Sequence, residues 1–114
     1  MPYLSIQTNQ SLSKDQETEF LQKASQTLSA MLGKSENYVM VAIQDASHMM
    51  FAGTTDPTAY LQIKSLGLPE SATTDFSRLL CGFITQELGI AAERIYIEFS
   101  GPERHMWGWN NKTF

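Results

Sequence analysis

The chain has 114 residues, 42% of them hydrophobic, and a formal net charge of −4, which fits a single domain spanning residues 1–114. This acidic balance argues against a nucleic-acid partner and against a polybasic membrane contact. The one cysteine excludes an internal disulfide, and the absence of a signal-like or bilayer-length apolar segment leads us to expect a cytoplasmic protein.

The first half of the chain has the pattern of a strand, a helix and a second strand. Residues 2–7 alternate in hydrophobicity, which predicts a strand at the N-terminus. Ser13 followed by Gln16 fits a capping box, and apolar residues at helical spacing then continue to Gly33, which is suited to end a helix. The run 38–43 has little polarity and predicts a central, largely buried strand.

The second half repeats this order after a turn-rich bridge. Residues 48–51 are interpreted as a short extra strand, and residues 58–66 alternate as a strand should. An amphipathic helix then runs from Phe76 to Leu88 and ends at Gly89, followed by a strand over 94–100. The tail at 106–109 predicts a last short strand.

The two halves also match each other in register. Residues 2–6 align with 59–63, and residues 36–41 with 93–98, both at a separation of 57 positions. Such a period indicates a duplicated β-α-β unit with right-handed crossovers. The predicted fold is therefore α/β: a four-stranded mixed sheet with two helices packed on one face, plus short edge strands. Because aromatic and aliphatic groups occur on both sides of the strands, we expect an oligomer that covers the second face of the sheet.

Pro2 is the most informative position for chemistry. If Met1 is removed, Pro2 carries a free secondary amine at the start of a strand. An α-amino group titrates near 7.7–8.0, and burial lowers that pKa because it disfavours the cation. A buried terminal proline could therefore act as a neutral base that removes a proton beside a carbonyl. Many chains begin with Met-Pro without catalytic meaning, so this residue alone does not establish the role.

Segments along the whole chain resemble the macrophage migration inhibitory factor family, which also includes D-dopachrome tautomerase. The matching segments fall at family spacing, and the N-terminal proline together with the C-terminal run is quite specific. They are Met1–Leu4, the turn at Thr8–Asn9, Leu32–Lys34, Ser65–Gly67, Leu79–Gly82, Arg94–Ile97 and Gly108–Phe114.

The resemblance implies a role for each matching position. Pro2 would be the catalytic base, Lys34 would hold the substrate carboxylate, and Ser65 and Leu66 would line the pocket, with the Leu66 backbone amide as a donor. The aromatic wall around the substrate ring, contributed partly by a neighbouring subunit, would be Tyr38, Tyr96, Trp109 and Phe114. The implied reaction is keto–enol tautomerisation of an aromatic 2-oxo acid such as phenylpyruvate, without cofactor or metal. The implied assembly is a homotrimer with active sites at the subunit interfaces.

Three departures from the family pattern bear on this interpretation. Glu98 replaces an asparagine of the best-known members; its carboxylate could repel acidic substrates and raise the Pro2 pKa. Trp107 replaces a small aliphatic residue and could narrow the mouth of the pocket. Residues 57–61 lack the Cys-x-x-Cys pair of some members, so no dithiol redox partner is expected.

Two alternatives stay open from the sequence. The chain could be a cytokine-like or protein-binding homologue with weak or vestigial tautomerase activity, or a pseudoenzyme blocked by Glu98 and Trp107. The remaining candidates are interpreted as structural: Cys81 as a buried, inert thiol, and His48 and His105 as residues without metal-ligand spacing.

Overall fold

The computed structural model describes the whole chain, Met1–Phe114, as a four-stranded sheet packed against two helices. The elements are β1 (Tyr3–Thr8), α1 (Lys14–Leu32), β2 (Met40–Gln44), β3 (Ala59–Lys64), α2 (Thr73–Leu88), β4 (Ile95–Ser100), β5 (Gly108–Trp109) and β6 (Lys112–Thr113). The strand order is β2-β1-β3-β4, with β1 parallel to β2, β3 parallel to β4, and β1 antiparallel to β3. Two β-α-β units thus meet through their first strands, which confirms the predicted mixed sheet.

Both helices begin and end close to the predicted signals. The Ser13 side chain accepts a hydrogen bond from Gln16 N at 3.2 Å, and Ser13 N donates to Gln16 Oε1 at 2.8 Å. Gly33 and Gly89 follow the two helices in the left-handed conformation, with φ of 64° and 68°. Only glycine adopts this conformation without a steric penalty, so these two residues fix where the helices stop.

The capping box gives a first testable consequence. Ser13→Ala is expected to lower the free energy of unfolding by about 1 kcal/mol, because the amide at the helix start loses its acceptor. Urea denaturation followed by circular dichroism measures the change. Ser11→Ala is the matched control, since Ser11 is exposed and its side chain forms no hydrogen bond in the chain. Equal stabilities of the two variants would contradict a capping role.

The hydrophobic core lies between the helices and one face of the sheet. Alternate strand residues enter it, such as Leu4 in β1, which pairs in register with Val41 of β2 and Ile63 of β3. The helices contribute Phe20 and Phe83, whose ring centroids are 5.5 Å apart. Phe83 and Val41 are only partly buried, and the other buried members of the cluster are Ile6, Ala24, Leu28, Ala59, Leu61, Leu80, Ile84, Ile90 and Ile95. Because both helices enter the same cluster, they lie on the same face of the sheet.

The opposite face of the sheet is uncovered and more polar than the sequence suggested. Its large apolar or aromatic side chains alternate with Ser5, Gln7, Gln62, Lys64 and Glu98. The apolar or aromatic members are Tyr3, Met40, Tyr60 and Tyr96. A second chain could cover this face, but the polar side chains on it would then need hydrogen-bonding partners in that chain or water in the interface.

Three predicted strands need correction. The 38–43 run is an edge strand with alternately exposed residues, not a central one, because each crossover places the second strand of a unit outside the first. Residues 48–51 form no strand: Phe51 and Thr54 only bridge a tight turn. The tail strand covers 108–109 and pairs with the unpredicted β6 through Asn110 and Asn111, both at positive φ. Neither helix has the length and hydropathy that would let it cross a membrane.

Candidate active site

Pro2 is nearly completely buried immediately before β1. Its carbonyl oxygen accepts a hydrogen bond from Met40 N at 3.0 Å, which continues the parallel pairing of β1 with β2 by one residue. The backbone of Pro2 is therefore held by the sheet, while its nitrogen lies at the edge where the strand starts. In the described chain Met1 precedes it, so that nitrogen is part of a peptide bond.

Two adjoining cavities open at this end of the sheet. The larger has a volume of about 770 Å³ and is lined by Pro2, Tyr38, Trp107 and Trp109, among others. The smaller has a volume of about 320 Å³ and is lined by residues from five parts of the chain. Its lining residues are Met1, Gly33, Lys34, Ser35, Tyr38, Leu66, Arg104 and Phe114. Since Met1 and Tyr38 line both cavities, the two spaces meet beside the N-terminus.

Lys34 lies in the smaller cavity because α1 ends directly before it. Its backbone N–H donates to Ser29 O at 3.1 Å, and the Ser29 hydroxyl donates back to the Lys34 carbonyl oxygen. These two bonds fix the backbone of Lys34, which follows Gly33 in its left-handed conformation. The ammonium group forms no salt bridge within the chain. It is therefore available to an anion in the cavity.

Three of the four predicted wall aromatics pack together around the cavities. The rings of Tyr38 and Trp109 meet edge to face with centroids 5.6 Å apart, and those of Trp109 and Phe114 stack at 5.7 Å. The C-terminal residue is held there because Phe114 N donates to Trp107 O at 3.2 Å. The β5–β6 hairpin thus brings Trp109 and Phe114 against Tyr38, and Trp107 lies half-buried along the larger cavity.

Ser65 and Leu66 lie just after β3, and only Leu66 lines a cavity. Ser65 is buried and lines neither cavity; its N–H donates to Ser100 O at 3.1 Å. Leu66 does line the smaller cavity, and its backbone N–H forms no hydrogen bond within the chain. A free N–H at the cavity wall is the donor that the resemblance implies for this position.

Tyr96 and Glu98 lie on β4, which β3 separates from β1, and neither lines either of the two cavities. Tyr96 is exposed and packs edge to face on Phe51, with centroids 4.7 Å apart. Glu98 accepts hydrogen bonds from Gln62 at 3.1 Å and from Tyr60 at 3.2 Å, and these bonds lower its pKa, the bond from Gln62 most. Within one chain the Glu98 charge therefore does not act beside Pro2.

The electrostatics of the two cavities favour anions. Lys34, Arg104 and Lys64 line them, and no aspartate or glutamate does, although the chain as a whole carries a net charge of −4. The Met1 amino group lies at their junction, where burial and then the charge of Lys34 lower its pKa below the usual value of an α-amine. An amine placed here is pushed toward the neutral form that accepts protons.

The structure adds site residues that the sequence analysis did not identify. Arg104 enters the smaller cavity, while Asn37, Pro102 and Met106 line the larger one. These residues fall in loops and single helical turns, where no periodicity indicates which side chains face inward. The other candidates stay outside the site: Cys81 is half-buried on α2 rather than buried, and no cluster of three or more metal-ligating side chains occurs in the chain.

Comparison with known proteins gives a consistent result over the full length. Residues 1–114 match the family model described as macrophage migration inhibitory factor. The macrophage migration inhibitory factor homolog of Brugia malayi is 35% identical, covering 100% of this chain and 99% of that protein. The macrophage migration inhibitory factor of Rattus norvegicus is 33% identical, covering 83% and 84% respectively.

Solved structures agree with the sequence matches. The crystal structure of the macrophage migration inhibitory factor homologue from Prochlorococcus marinus has a TM-score of 0.90 and 43% identity, covering 98% of each chain. That of Trichinella spiralis has a TM-score of 0.91 and 31% identity, covering 98% of this chain and 99% of the other. The similarity thus includes both β-α-β units and the C-terminal hairpin that carries the aromatic wall.

Proposed function

This chain belongs to the macrophage migration inhibitory factor family, a tautomerase superfamily fold, and we propose that it is a cofactor-independent keto–enol tautomerase. The substrate would be an aromatic 2-oxo acid such as phenylpyruvate, and Pro2 would be the general acid/base once Met1 is removed. One observation carries the proposal: buried Pro2 lines the aromatic-walled cavity and directly follows Met1, where that cavity meets a cationic one, and no acidic side chain lines either cavity.

The geometry suggests a division of the substrate between the two cavities. The carboxylate would lie in the smaller cavity near Lys34, and the ring would lie in the larger one against Tyr38 and Trp109. The Pro2 nitrogen would take a proton from the carbon next to the carbonyl; the electron pair of that C–H bond would form the new C=C bond, and the π pair of the C=O bond would move onto the oxygen. Lys34 and the free Leu66 N–H would stabilise the enolate charge until the oxygen is protonated.

The proposed base depends on Met1 removal because a peptide nitrogen has no basic lone pair. After removal, the terminal amine would belong to Pro2, which is more deeply buried than Met1. It would therefore be more strongly desolvated than the Met1 amine. Burial disfavours the ammonium form, so the free base would be populated at neutral pH. A fixed secondary amine also needs no side-chain ordering before it reacts.

We extend the proposal to a homotrimer with active sites at the subunit interfaces. Two observations support it: one face of the sheet is uncovered, and Tyr96 and Glu98 lie too far along the sheet to reach Pro2 of their own chain. In an assembly, β4 of a neighbour could bring both side chains to the cavity. Sedimentation equilibrium tests this point, and a monomeric mass at active concentrations would contradict it.

The direct test of the proposed activity compares protein with and without Met1, each checked by mass. The Met1-free protein is expected to interconvert enol and keto phenylpyruvate, followed by the ultraviolet absorbance of the enol, and the Met1-retaining protein is expected to be inactive. No turnover by either form would favour the protein-binding alternative. Equal turnover by both would exclude the Pro2 amine as the base.

The position of Lys34 predicts how activity depends on pH. Only the neutral amine accepts a proton, so kcat/KM should rise as the pH increases through the Pro2 pKa. Burial and Lys34 lower the pKa of the Met1 amine one residue away, and we expect the same two causes to lower that of the Pro2 amine, so the midpoint should fall below about 7.7–8.0, the usual range of an α-amine. Lys34→Ala should move the midpoint to higher pH as well as raise KM.

The control for this shift is Lys14→Ala, which removes the same charge at the exposed start of α1. It should leave the midpoint of the pH profile unchanged, because its distance and the intervening solvent screen the charge. A Lys34→Ala midpoint that stays in place or moves to lower pH would contradict the proposed coupling between Lys34 and the amine.

A further inference from the structure

Arg104 places a second cation in the smaller cavity. It begins the single helical turn Arg104–Met106, which is closed by a hydrogen bond from Trp107 N to Arg104 O at 3.3 Å. This turn precedes the hairpin that carries the aromatic wall, so the same stretch of chain supplies both an aromatic side and a cationic side. Lys34, which also lines this cavity, comes from the first half of the chain, two residues after the end of α1.

The guanidinium of Arg104 differs from those of the other two arginines because no group of the chain pairs with it. Of the three arginines, Arg94 donates to four backbone carbonyls and Arg78 contacts Asp75 at 3.8 Å. Arg104 forms neither a salt bridge nor a side-chain hydrogen bond. The adjacent Glu103 carboxylate lies 3.4 Å from His105 Nδ1 instead.

We propose that Arg104 is a substrate-binding residue that acts with Lys34 as a second anchor for the carboxylate; this inference rests on the proposed function. A guanidinium can donate two parallel hydrogen bonds to the two oxygens of one carboxylate, whereas an ammonium acts as a point charge. Arg104 would therefore fix the orientation of the acid end, and Lys34 would supply charge close to the reacting amine.

This division predicts different effects of the two cations. Among the charged side chains, it is Lys34 that lowers the pKa of the Met1 amine. Loss of Arg104 should therefore weaken the binding of acids without moving the pH midpoint of kcat/KM. Loss of Lys34 should change both. If the role of Arg104 were only structural, its loss would weaken the binding of acids and of neutral ligands of the same shape equally.

The test is calorimetric titration with two unreactive probes, 3-phenylpropanoate and its neutral analogue 3-phenylpropanamide, on the Met1-free protein. Arg104→Ala should weaken binding of the acid about five- to tenfold, the scale of a charge-assisted contact at an exposed side chain, and leave the amide unchanged. Arg104→Lys should be intermediate because it keeps the charge and loses the paired donors. Arg78→Ala is the control, since it removes an arginine that lines neither cavity.

The outcomes separate this inference from the proposed function. Acid binding by Arg104→Ala that equals the wild type, or an equal loss for acid and amide, would overturn the role of Arg104 whatever the activity. If Arg104→Ala weakens binding of the acid only, and the wild-type protein does not turn over phenylpyruvate, the anchoring role of Arg104 is supported and the tautomerase assignment is overturned. Where turnover is present, Arg104→Ala should raise KM for phenylpyruvate with kcat retained.

Discussion

Pro2→Ala is expected to lower kcat/KM for phenylpyruvate by about a hundredfold or more, the scale on which a positioned general base contributes. The variant keeps an N-terminal amine, but alanine's amine is primary, can rotate and is more easily hydrated than a proline ring nitrogen held by the sheet. The hydrogen bond from Met40 N to the carbonyl of residue 2 uses only backbone atoms, so it survives the substitution. The measurement is steady-state tautomerisation on protein whose mass confirms Met1 removal.

The matched control for this loss is Pro69→Ala. Pro69 precedes the single turn Glu70–Ala72 and lines neither cavity, so its replacement should leave kcat/KM unchanged. Circular dichroism and sedimentation show whether either variant alters the fold or the assembly. A Pro2→Ala enzyme with wild-type kcat/KM, in an unchanged fold, would remove Pro2 from the mechanism.

Leu80→Ala is expected to lower the free energy of unfolding by about 2–5 kcal/mol, as full burial of a leucine implies. Leu80 on α2 is 1% exposed and belongs to the cluster between the helices and the sheet. Truncation removes apolar contacts and leaves a cavity that the neighbouring side chains refill only in part. Urea denaturation at a fixed protein concentration measures the change, because oligomerisation makes apparent stability depend on concentration.

The neighbouring residue gives a closely matched control. Leu79 lies in the same helix and is 45% exposed, so Leu79→Ala makes the same chemical change on the outer side of α2. It should cost less than about 1 kcal/mol in the isolated chain, since little apolar area is uncovered. A loss at Leu79 as large as at Leu80 would indicate that a second chain covers this side of α2.

Local signals in the sequence were sufficient for most of the fold. Alternation and helical spacing located the four main strands and both helices, and the Ser13 capping box and the two stop glycines fixed the helix ends within a residue or two. The internal repeat gave the mixed topology. These features are encoded by neighbouring residues, so no long-range contact is needed to recognise them.

The errors have two physical sources, which are long-range pairing and the short length of some strands. The 38–43 run looked central because it is apolar, but strand order depends on which partners lie alongside, and β2 has a partner on one side only. The strand at 112–113 was missed because two residues are too short to show a period, although Asn110-Asn111 is a turn signal. Side-chain burial on an edge strand cannot be read from composition alone.

The sequence by itself determined the fold class, the family and the candidate base, because these depend on local patterns and on residues at fixed positions. The tertiary structure alone decided which candidates share a cavity: it brings Lys34, Tyr38, Leu66 and Phe114 together from distant segments and leaves Tyr96 and Glu98 two strands away. It also places Arg104 in the same cavity as Lys34, which no motif indicated. Proximity between segments arises from chain crossovers and packing, and these are set by the whole core rather than by neighbouring residues.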